Sequence, residues 1–327
     1  MLCAVLVVLS ADMEGVSQLG QAREIVAACP EYWRTGKRRY EEEVAAACEG
    51  LLTGGATEVV VLDNHASGNP ANIAAGALPS GARIETWNVW DLPEQGVDAM
   101  FQVGYHARGG VDGFLSHTYG LDLRLRCGDE LISESHGRAW AAQTRLIGIT
   151  GNDMHERTLG SLSGTPFLVV QRSAGHRAAE PTTGLDAVRE FARTCAENAG
   201  EVPPVEVPGA TRLAASMPHG ATVEATMREG GWARTGEVEY EIALDSWRDA
   251  REPIATAMLA AFAPVLQAWS NDLTSPELAA AYDPAKREEL GAAIDAWAEA
   301  SGPEWFTSES RYGKSRETLQ PPPRFRT

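Results

Sequence analysis

Short runs of apolar residues alternate with amphipathic stretches along the N-terminal part of the sequence. The runs are rich in Val, Leu and Phe and read AVLVVL (4–9), EVVVLD (58–63), AMFQVGY (99–105) and PFLVVQ (166–171). Continuous apolar runs of this length suit strands that are covered on both faces, as in the parallel sheets of α/β proteins. Between the first two runs, apolar residues recur at helical spacing from Tyr40 to Leu52, and Gly54 and Gly55 end the pattern. These elements predict a β-α-β unit.

The Pro-rich stretch EVPPVEVPG (201–209) is the candidate internal boundary. Beyond it, EVEYEIAL (237–244) alternates between apolar and acidic residues and predicts a half-exposed strand, followed by a helix over 246–270. We therefore predict an α/β fold with a central, largely parallel sheet flanked by helices, a second smaller α+β part, and a C-terminal helical extension. The predicted ranges are 1–205 for the main α/β domain, 206–265 for the α+β part, and 266–327 for the extension and tail.

The composition of the chain excludes some classes of partner and of site. The 327 residues carry 28 Lys and Arg against 45 Asp and Glu, a formal net charge of -17, which argues against nucleic acid or an anionic membrane as a partner. The five cysteines are scattered and never in C-x-x-C spacing, so the sequence predicts neither a disulfide framework nor a thiolate zinc site. A reducing cytoplasm fits this pattern best. The apolar N-terminal run lacks a basic flank and is too short to span a bilayer, so we interpret it as a strand.

Two acids, Asp12 and Glu14, follow the first strand directly in SADMEG. Residues two apart in a strand point to the same face, so this pair would project into the crevice where open α/β sheets bind ligands. An Asp-x-Glu pair is common by chance, and most such pairs are solvated loop acids. Taken alone, the pair is a weak signal for a site.

Histidines emerge at the same kind of position as the acids. His65 follows the strand 58–63, His106 follows the strand 99–105, and His117 comes eleven residues later. A single histidine after a strand is more often a hydrogen-bonded loop residue than a ligand, but three beside an acid pair favour a metal site. A third acid, Glu134, lies at a predicted helix start after Ser133, where stabilisation of the helix dipole is the simpler explanation.

The charge of this set suits a pair of divalent ions. Three carboxylates and two neutral histidines leave two such ions one positive charge in excess, which a bound hydroxide would cancel. Mixed nitrogen and oxygen ligation suits zinc, and other borderline divalent metals remain open.

Five short motifs carry a resemblance to a known family. They are SADMEG (10–15), LDNH (62–65), GYHA (104–107), SHT (116–118) and the final Glu of LISE (131–134). In their order and separation they resemble the D-aminopeptidase family of binuclear zinc peptidases, over roughly residues 1–265. The resemblance implies a metal-dependent hydrolase of the aminopeptidase or amidohydrolase type, with two Zn²⁺ ions per chain, that forms a ring-like homo-oligomer.

The resemblance also implies roles for the metal-binding residues. Asp12 would bridge the two zinc ions. Glu14 and His65 would complete the ligands of one ion, and His106 and Glu134 those of the other. All five residues are predicted metal ligands.

His117 matches the catalytic histidine of the family, which is proposed there as a nucleophile. Our physical interpretation prefers a metal-bound hydroxide as the group that attacks the amide carbonyl, because paired metals generate this nucleophile at neutral pH and stabilise the developing oxyanion. His117 would then pass the proton to the leaving amine.

The roles of Asp63 and of the remaining histidines are considered separately from the predicted ligands. Asp63, two residues before His65, could orient that ligand, although a buried acid that caps a loop is an equally good account. We expect the remaining histidines to be surface or loop residues: His136, His155, His176 and His219.

The leading hypothesis is a zinc hydrolase that cleaves an amide bond of a small peptide or amino-acid derivative. An amidase or esterase that acts on a non-peptide metabolite through the same zinc site is the close alternative. A third interpretation is a metal-binding scaffold without catalytic activity, but the presence of His117 argues against it. The segment 16–35 departs from the family pattern and is close enough to Glu14 to shape the substrate pocket.

Overall fold

The computed structural model describes residues 5–25, 30–65, 72–120, 123–217 and 220–261. The strands are β1 (Leu6–Ala11), β2 (Glu58–Asp63), β3 (Ala82–Ile84), β4 (Ala99–Tyr105), β5 (Arg124–Cys127), β6 (Glu130–Ile132), β7 (Arg145–Asn152), β8 (Phe167–Ser173), β9 (Ala179–Pro181), β10 (Thr211–Ser216), β11 (Ala233–Arg234) and β12 (Glu239–Leu244). The α-helices are α1 (Pro30–Thr53), α2 (Leu92–Gln95), α3 (Glu134–Ala142), α4 (Asp153–Glu156), α5 (Leu185–Glu197) and α6 (Ala221–Glu229). Residues 251–261 are also helical.

The main sheet has seven strands in the order β3-β2-β1-β4-β7-β8-β9, parallel except for the edge strand β9. The predicted parallel α/β sheet is therefore confirmed. In its register, Ala11 at the end of β1 pairs with Asp63 of β2 and with Val103 of β4. The chain segments that follow these three strands consequently leave the sheet side by side at one edge.

Helices cover both faces of this sheet because side chains alternate along its strands. Val7 and Leu9 of β1 belong to a core that includes α1 and α5, whereas Val8 between them faces a core with residues of α2 and α3. Glycines bring α1 close to α5: a Cβ atom at Gly50 would collide with a backbone carbonyl of α5. Of the described helices, none combines the length and apolar character needed to cross a membrane.

The second sheet is antiparallel and has five strands in the order β11-β12-β10-β5-β6. Its core contains large aromatic side chains, among them Tyr240 and Trp247, and the described part of the predicted helix 246–270 packs here. Two of its strands, β5 and β6, precede the Pro-rich stretch and come from within the range 1–205. A second α+β part is thus present, while the domain limits 1–205, 206–265 and 266–327 stay predictions. The extension 266–327 lies outside the described residues.

Candidate metal centre

The acidic loop after β1 is tied to the end of β4. Asp12 N–H donates to Val103 O and Gly15 N–H donates to Gly104 O, both at 2.8 Å. The two segments can approach this closely because both contact positions are glycines. A Cβ atom at Gly15 would collide with Tyr105 O, and one at Gly104 would collide with Asp12 O. Asp12 and Glu14, each 4% exposed, are held in the interior as a result.

One cluster consists of Asp12, Glu14 and His65, whose ligand atoms lie within bonding reach of a common ion. His65 Nδ1 is 3.1 Å from Glu14 Oε2 and 3.6 Å from Asp12 Oδ1. The other ring nitrogen, Nε2, lies 2.7 Å from Ile25 O. Since a carbonyl can only accept, Nε2 carries a proton, and in the neutral ring the lone pair of Nδ1 faces the two carboxylates.

A second cluster lies on the opposite side of Asp12. His106 Nε2 is 3.2 Å from Asp12 Oδ2 and 4.0 Å from Glu134 Oε1, and His106 Nδ1 lies 3.0 Å from Ala107 O. The two oxygens of Asp12 therefore face different histidines, Oδ1 towards His65 and Oδ2 towards His106. The structure brings together all five residues predicted as ligands.

His117 completes the second cluster. Its Nε2 is 3.6 Å from Glu134 Oε1, and its Nδ1 is 2.6 Å from Leu115 O, which places the ring proton on Nδ1, as in His106, whereas in His65 the carbonyl contact is made by Nε2. Leu115 and Tyr119, two residues before and after His117, have positive φ values of 47° and 59°, a backbone conformation that residues other than glycine rarely adopt. Its spacing to Glu134 and His106 makes His117 eligible as a ligand as well as a catalytic group.

The donor set fits divalent cations. His106 Nε2 is buried and has no hydrogen-bond partner among the described residues. In the neutral ring, whose proton is on Nδ1, Nε2 presents a lone pair to a carboxylate oxygen of Asp12, an arrangement that either a proton or a metal cation between the two atoms would stabilise. Tetrahedral zinc with bonds of about 2.0–2.1 Å holds its ligand atoms roughly 3.3 Å apart. The distances within the clusters, from 3.1 to 4.0 Å, bracket that value.

The carboxylates and histidines of the centre shift one another's pKa values. Burial lowers the pKa of His65 and His106, but the nearby carboxylates outweigh it and raise the pKa of His65 well above its usual range and that of His106 to about 9. Burial likewise opposes ionisation of Asp12, yet its interactions with the two nearby histidines hold its pKa well below the ordinary value. The site therefore favours positive charge between its carboxylates.

His117 differs from the other two histidines. Burial and the neighbouring charge of His106 lower its pKa, so its neutral form is favoured. A neutral imidazole whose Nδ1 donates to a carbonyl has its Nε2 available to accept a proton.

Glu134 is held from both sides. Tyr119 N–H donates to its Oε1 at 2.6 Å, and an Arg138 nitrogen lies 3.4 Å from its Oε2. Arg138 also donates to Asn64 Oδ1 at 2.6 Å, so it links the loop after β2 to α3. Sequence reasoning missed Arg138, although its position four residues after Glu134 on a predicted helix is the spacing at which such side chains meet.

Asp63 caps a loop, and its Oδ1 accepts the backbone N–H of His65 at 3.4 Å. Its carboxylate accepts hydrogen bonds from the backbone and side chain of Asn72, at 3.1 and 3.2 Å, and from Tyr40 OH at 3.1 Å. The imidazole is oriented by Ile25 O instead. Ile25 belongs to the segment 16–35, which therefore does adjoin the centre.

The expectation for the remaining histidines was wrong in two cases. His136 and His155 are both 0% exposed and sit in α3 and α4. A histidine on a short polar stretch gives no sequence signal of burial, because the covering residues come from distant parts of the chain. His176 is partly buried in a loop, and His219 lies outside the described residues.

The sequence profile of the D-aminopeptidase family matches residues 5–255. The structure is similar to that of the Zn-dependent D-aminopeptidase DppA from Bacillus subtilis, described as a self-compartmentalizing protease, with a TM-score of 0.68 at 19% identity. The similarity covers 78% of this chain and 98% of that one. At this identity the likeness shows a shared fold. No curated protein matches the sequence.

Proposed function

The chain belongs to the D-aminopeptidase family, and from this premise we propose a binuclear zinc-dependent hydrolase that cleaves an amide bond of a small peptide or amino-acid derivative. The observation that carries the proposal is the placement of Asp12, whose two oxygens face His65 and His106 at 3.6 and 3.2 Å. A carboxylate in this position can bridge two ions. The similar solved structure is that of a zinc-dependent enzyme, which favours zinc over other divalent metals.

We assign the ligands in two sets that share Asp12. Glu14 and His65 would hold one ion, and His106 and Glu134 the other. The support is geometric: each set gathers nitrogen and oxygen atoms within 4.8 Å of one another, from side chains that separate elements hold in place. Each histidine directs one nitrogen to a carbonyl and the other to the carboxylates, as ligand histidines generally do.

Bound there, the two cations would supply a water-derived nucleophile at neutral pH and polarise the amide carbonyl. The chain itself would manage the proton. His117 Nε2 accepts a proton in its neutral form, and the same atom can return that proton to the departing amine. With its side chain 15% exposed, against 1% for His106, His117 is also the more accessible of the two rings.

Assembly and location are further parts of the proposal. The similar enzyme is described as self-compartmentalizing, which supports a homo-oligomeric assembly for this chain, as the ring-like form implied by the family resemblance would require. The cytoplasmic location and the absence of nucleic-acid and membrane partners remain predictions from charge and cysteine usage.

The test is a substrate panel run beside metal analysis of the purified chain. We expect about two zinc ions per chain and turnover of aminoacyl amides and short peptides, with D-residues preferred. Blocking the free α-amino group should abolish turnover, because an aminopeptidase recognises that group. Equal turnover of blocked amides or simple esters would favour the amidase or esterase alternative, and metal binding without any turnover would favour the scaffold.

A further inference from the structure

His136, two residues after Glu134, is a fully buried member of the first turn of α3. It forms a capping box with Ser133: the Ser133 side chain accepts from the backbone N–H of His136, and His136 Nδ1 lies 3.2 Å from Ser133 N and 2.8 Å from Ser133 Oγ. Glu or Gln ordinarily takes this place in a capping box. A histidine provides the same acceptor and keeps a second ring nitrogen for another contact.

That second nitrogen faces Glu130. His136 Nε2 is 3.3 Å from Glu130 Oε1, and the same oxygen accepts Ser161 N–H at 2.6 Å. Gly160, with φ of +49°, lies against this oxygen, and a Cβ atom there would collide with it. The glycine therefore allows the loop at 160–161 to close on Glu130, and the nearby ring of His136 and the hydrogen bond from Ser161 N–H hold the pKa of Glu130 below its usual range.

The tautomer of His136 follows from these contacts. Because Ser133 N–H donates to Nδ1, the ring proton resides on Nε2, where Glu130 can accept it. The edge of the ring also packs against Trp140, with centroids 5.4 Å apart. His136 is thus fixed on several sides, and through Ser133 it fixes the backbone from which Glu134 projects.

We propose that Glu130 and His136 form a clamp that positions Glu134 as a metal ligand, with His136 as a positioning residue. This inference rests on the proposed function and concerns only one of its two ions. Glu134 projects from the helix start that the clamp holds, whereas Asp12, Glu14 and His65 are placed by β1 and β2. Loss of the clamp should therefore weaken the ion held by His106 and Glu134 and spare the other.

The experiment measures zinc stoichiometry and affinity in the wild-type chain, His136→Ala, His136→Gln and Asp249→Ala. Gln can accept from Ser133 N–H and donate to Glu130, so it preserves the clamp. Asp249→Ala is the matched control, because Ser246 and Asp249 form a second capping box, at the start of a 3₁₀ turn (Trp247–Ala250) that carries none of the proposed ligands. We expect His136→Ala to bind one of the two ions about 10- to 100-fold more weakly, the range for residues that hydrogen-bond to ligands. His136→Gln and Asp249→Ala should bind both ions as the wild type does.

The outcomes separate this inference from the proposed function. Two ions bound at wild-type affinity by His136→Ala would overturn the clamp and leave the function intact. Should His136→Ala fail to fold, the Gln variant decides: normal binding of both ions supports the clamp, and a weakened ion overturns it. An equal loss in Asp249→Ala would mean that any broken cap has this effect, which also overturns it. A wild-type chain that binds no zinc would overturn the proposed function itself.

Discussion

The imidazole rings of His106 and His117 are stacked, with centroids 4.0 Å apart and 7° between their planes. Their environments nevertheless differ. His106 Nε2 faces the bridging candidate Asp12 at 3.2 Å, whereas His117 Nε2 faces Glu134 at 3.6 Å. The nearby acids raise the pKa of His106 to about 9 although burial opposes it, while burial and the charge of His106 lower that of His117. These differences agree with the proposed roles of the two stacked rings, ligation for His106 and proton transfer for His117.

The first prediction separates these two tasks. His117→Ala should keep about two zinc ions per chain while amide turnover falls by about 10²- to 10⁴-fold, the usual contribution of a general acid or base. His106→Ala, the matched variant in the same stack, should lose one ion as well as turnover. Metal analysis and initial rates on the same preparations provide the measurement. Loss of an ion in His117→Ala would make His117 a ligand and contradict the assigned role.

The second prediction concerns the bridge. Asp12→Asn replaces one carboxylate oxygen by an NH₂ group, which cannot ligate a cation, and removes the charge that both ions share. It should weaken both ions by more than the roughly 100-fold typical of residues that only hydrogen-bond to ligands. Glu14→Gln should weaken a single ion, because the carboxylate of Glu14 lies in the cluster with Asp12 and His65, 3.1 Å from His65 Nδ1. Calorimetric titration of the metal-free variants with zinc distinguishes one affected site from two.

The third prediction tests the close approach of the acidic loop to β4. Gly104 and Gly96 both have positive φ, +72° and +69°, so Ala at either position costs about 1–2 kcal/mol in backbone strain. Only at Gly104 would the new Cβ collide with Asp12 O, whereas at Gly96 it meets nothing within 4 Å. Gly104→Ala should therefore lose zinc in addition to stability, and Gly96→Ala only stability. Equal metal binding in the two variants would show that the approach is dispensable.

The sequence predicted the framework well because the main sheet is built from local signals. Buried parallel strands are continuous apolar runs, and β2 and β4 occur at the predicted bounds. The strand β7 was missed, since RLIGITGN mixes glycines and polar residues with its apolar ones. The pairing of β5 with β10 was also not foreseen, because antiparallel contacts between segments far apart in the chain leave no periodic signal.

The candidate site was predictable for a related reason. Its residues follow the ends of strands, and the order of parallel strands brings those ends together, as for Asp12, His65 and His106. The supporting contacts were not predictable. The carbonyl of Ile25 that orients His65, and the burial of His136 beside Glu130, depend on loops whose paths only the folded chain defines.

The last prediction uses a buried acid beneath the site. Glu43 of α1 is 0% exposed; its carboxylate accepts Ser17 N–H at 2.8 Å and lies 3.5 Å from Thr150 Oγ1. Burial outweighs these hydrogen bonds and raises the pKa of Glu43 from 4.5 to about 7. The folded chain therefore binds this proton more tightly than the unfolded chain, and the stability associated with the protonated form is present below pH 4.5 and lost as pH rises through 7.

Glu43→Gln should remove that dependence, because the amide keeps the acceptor for Ser17 and carries no charge. The variant should exceed the wild type in free energy of unfolding by on the order of 3 kcal/mol at pH 8, and the difference should shrink towards zero at about pH 4, below the unfolded pKa. Urea unfolding of both proteins across this range, at equal zinc load, measures it. Glu42→Gln on the exposed side of α1 serves as the control, for which the difference should stay small throughout. A gain from Glu43→Gln that is the same at every pH would mean that the pKa of this carboxyl is the same in the folded and unfolded chains, which would contradict its raised value.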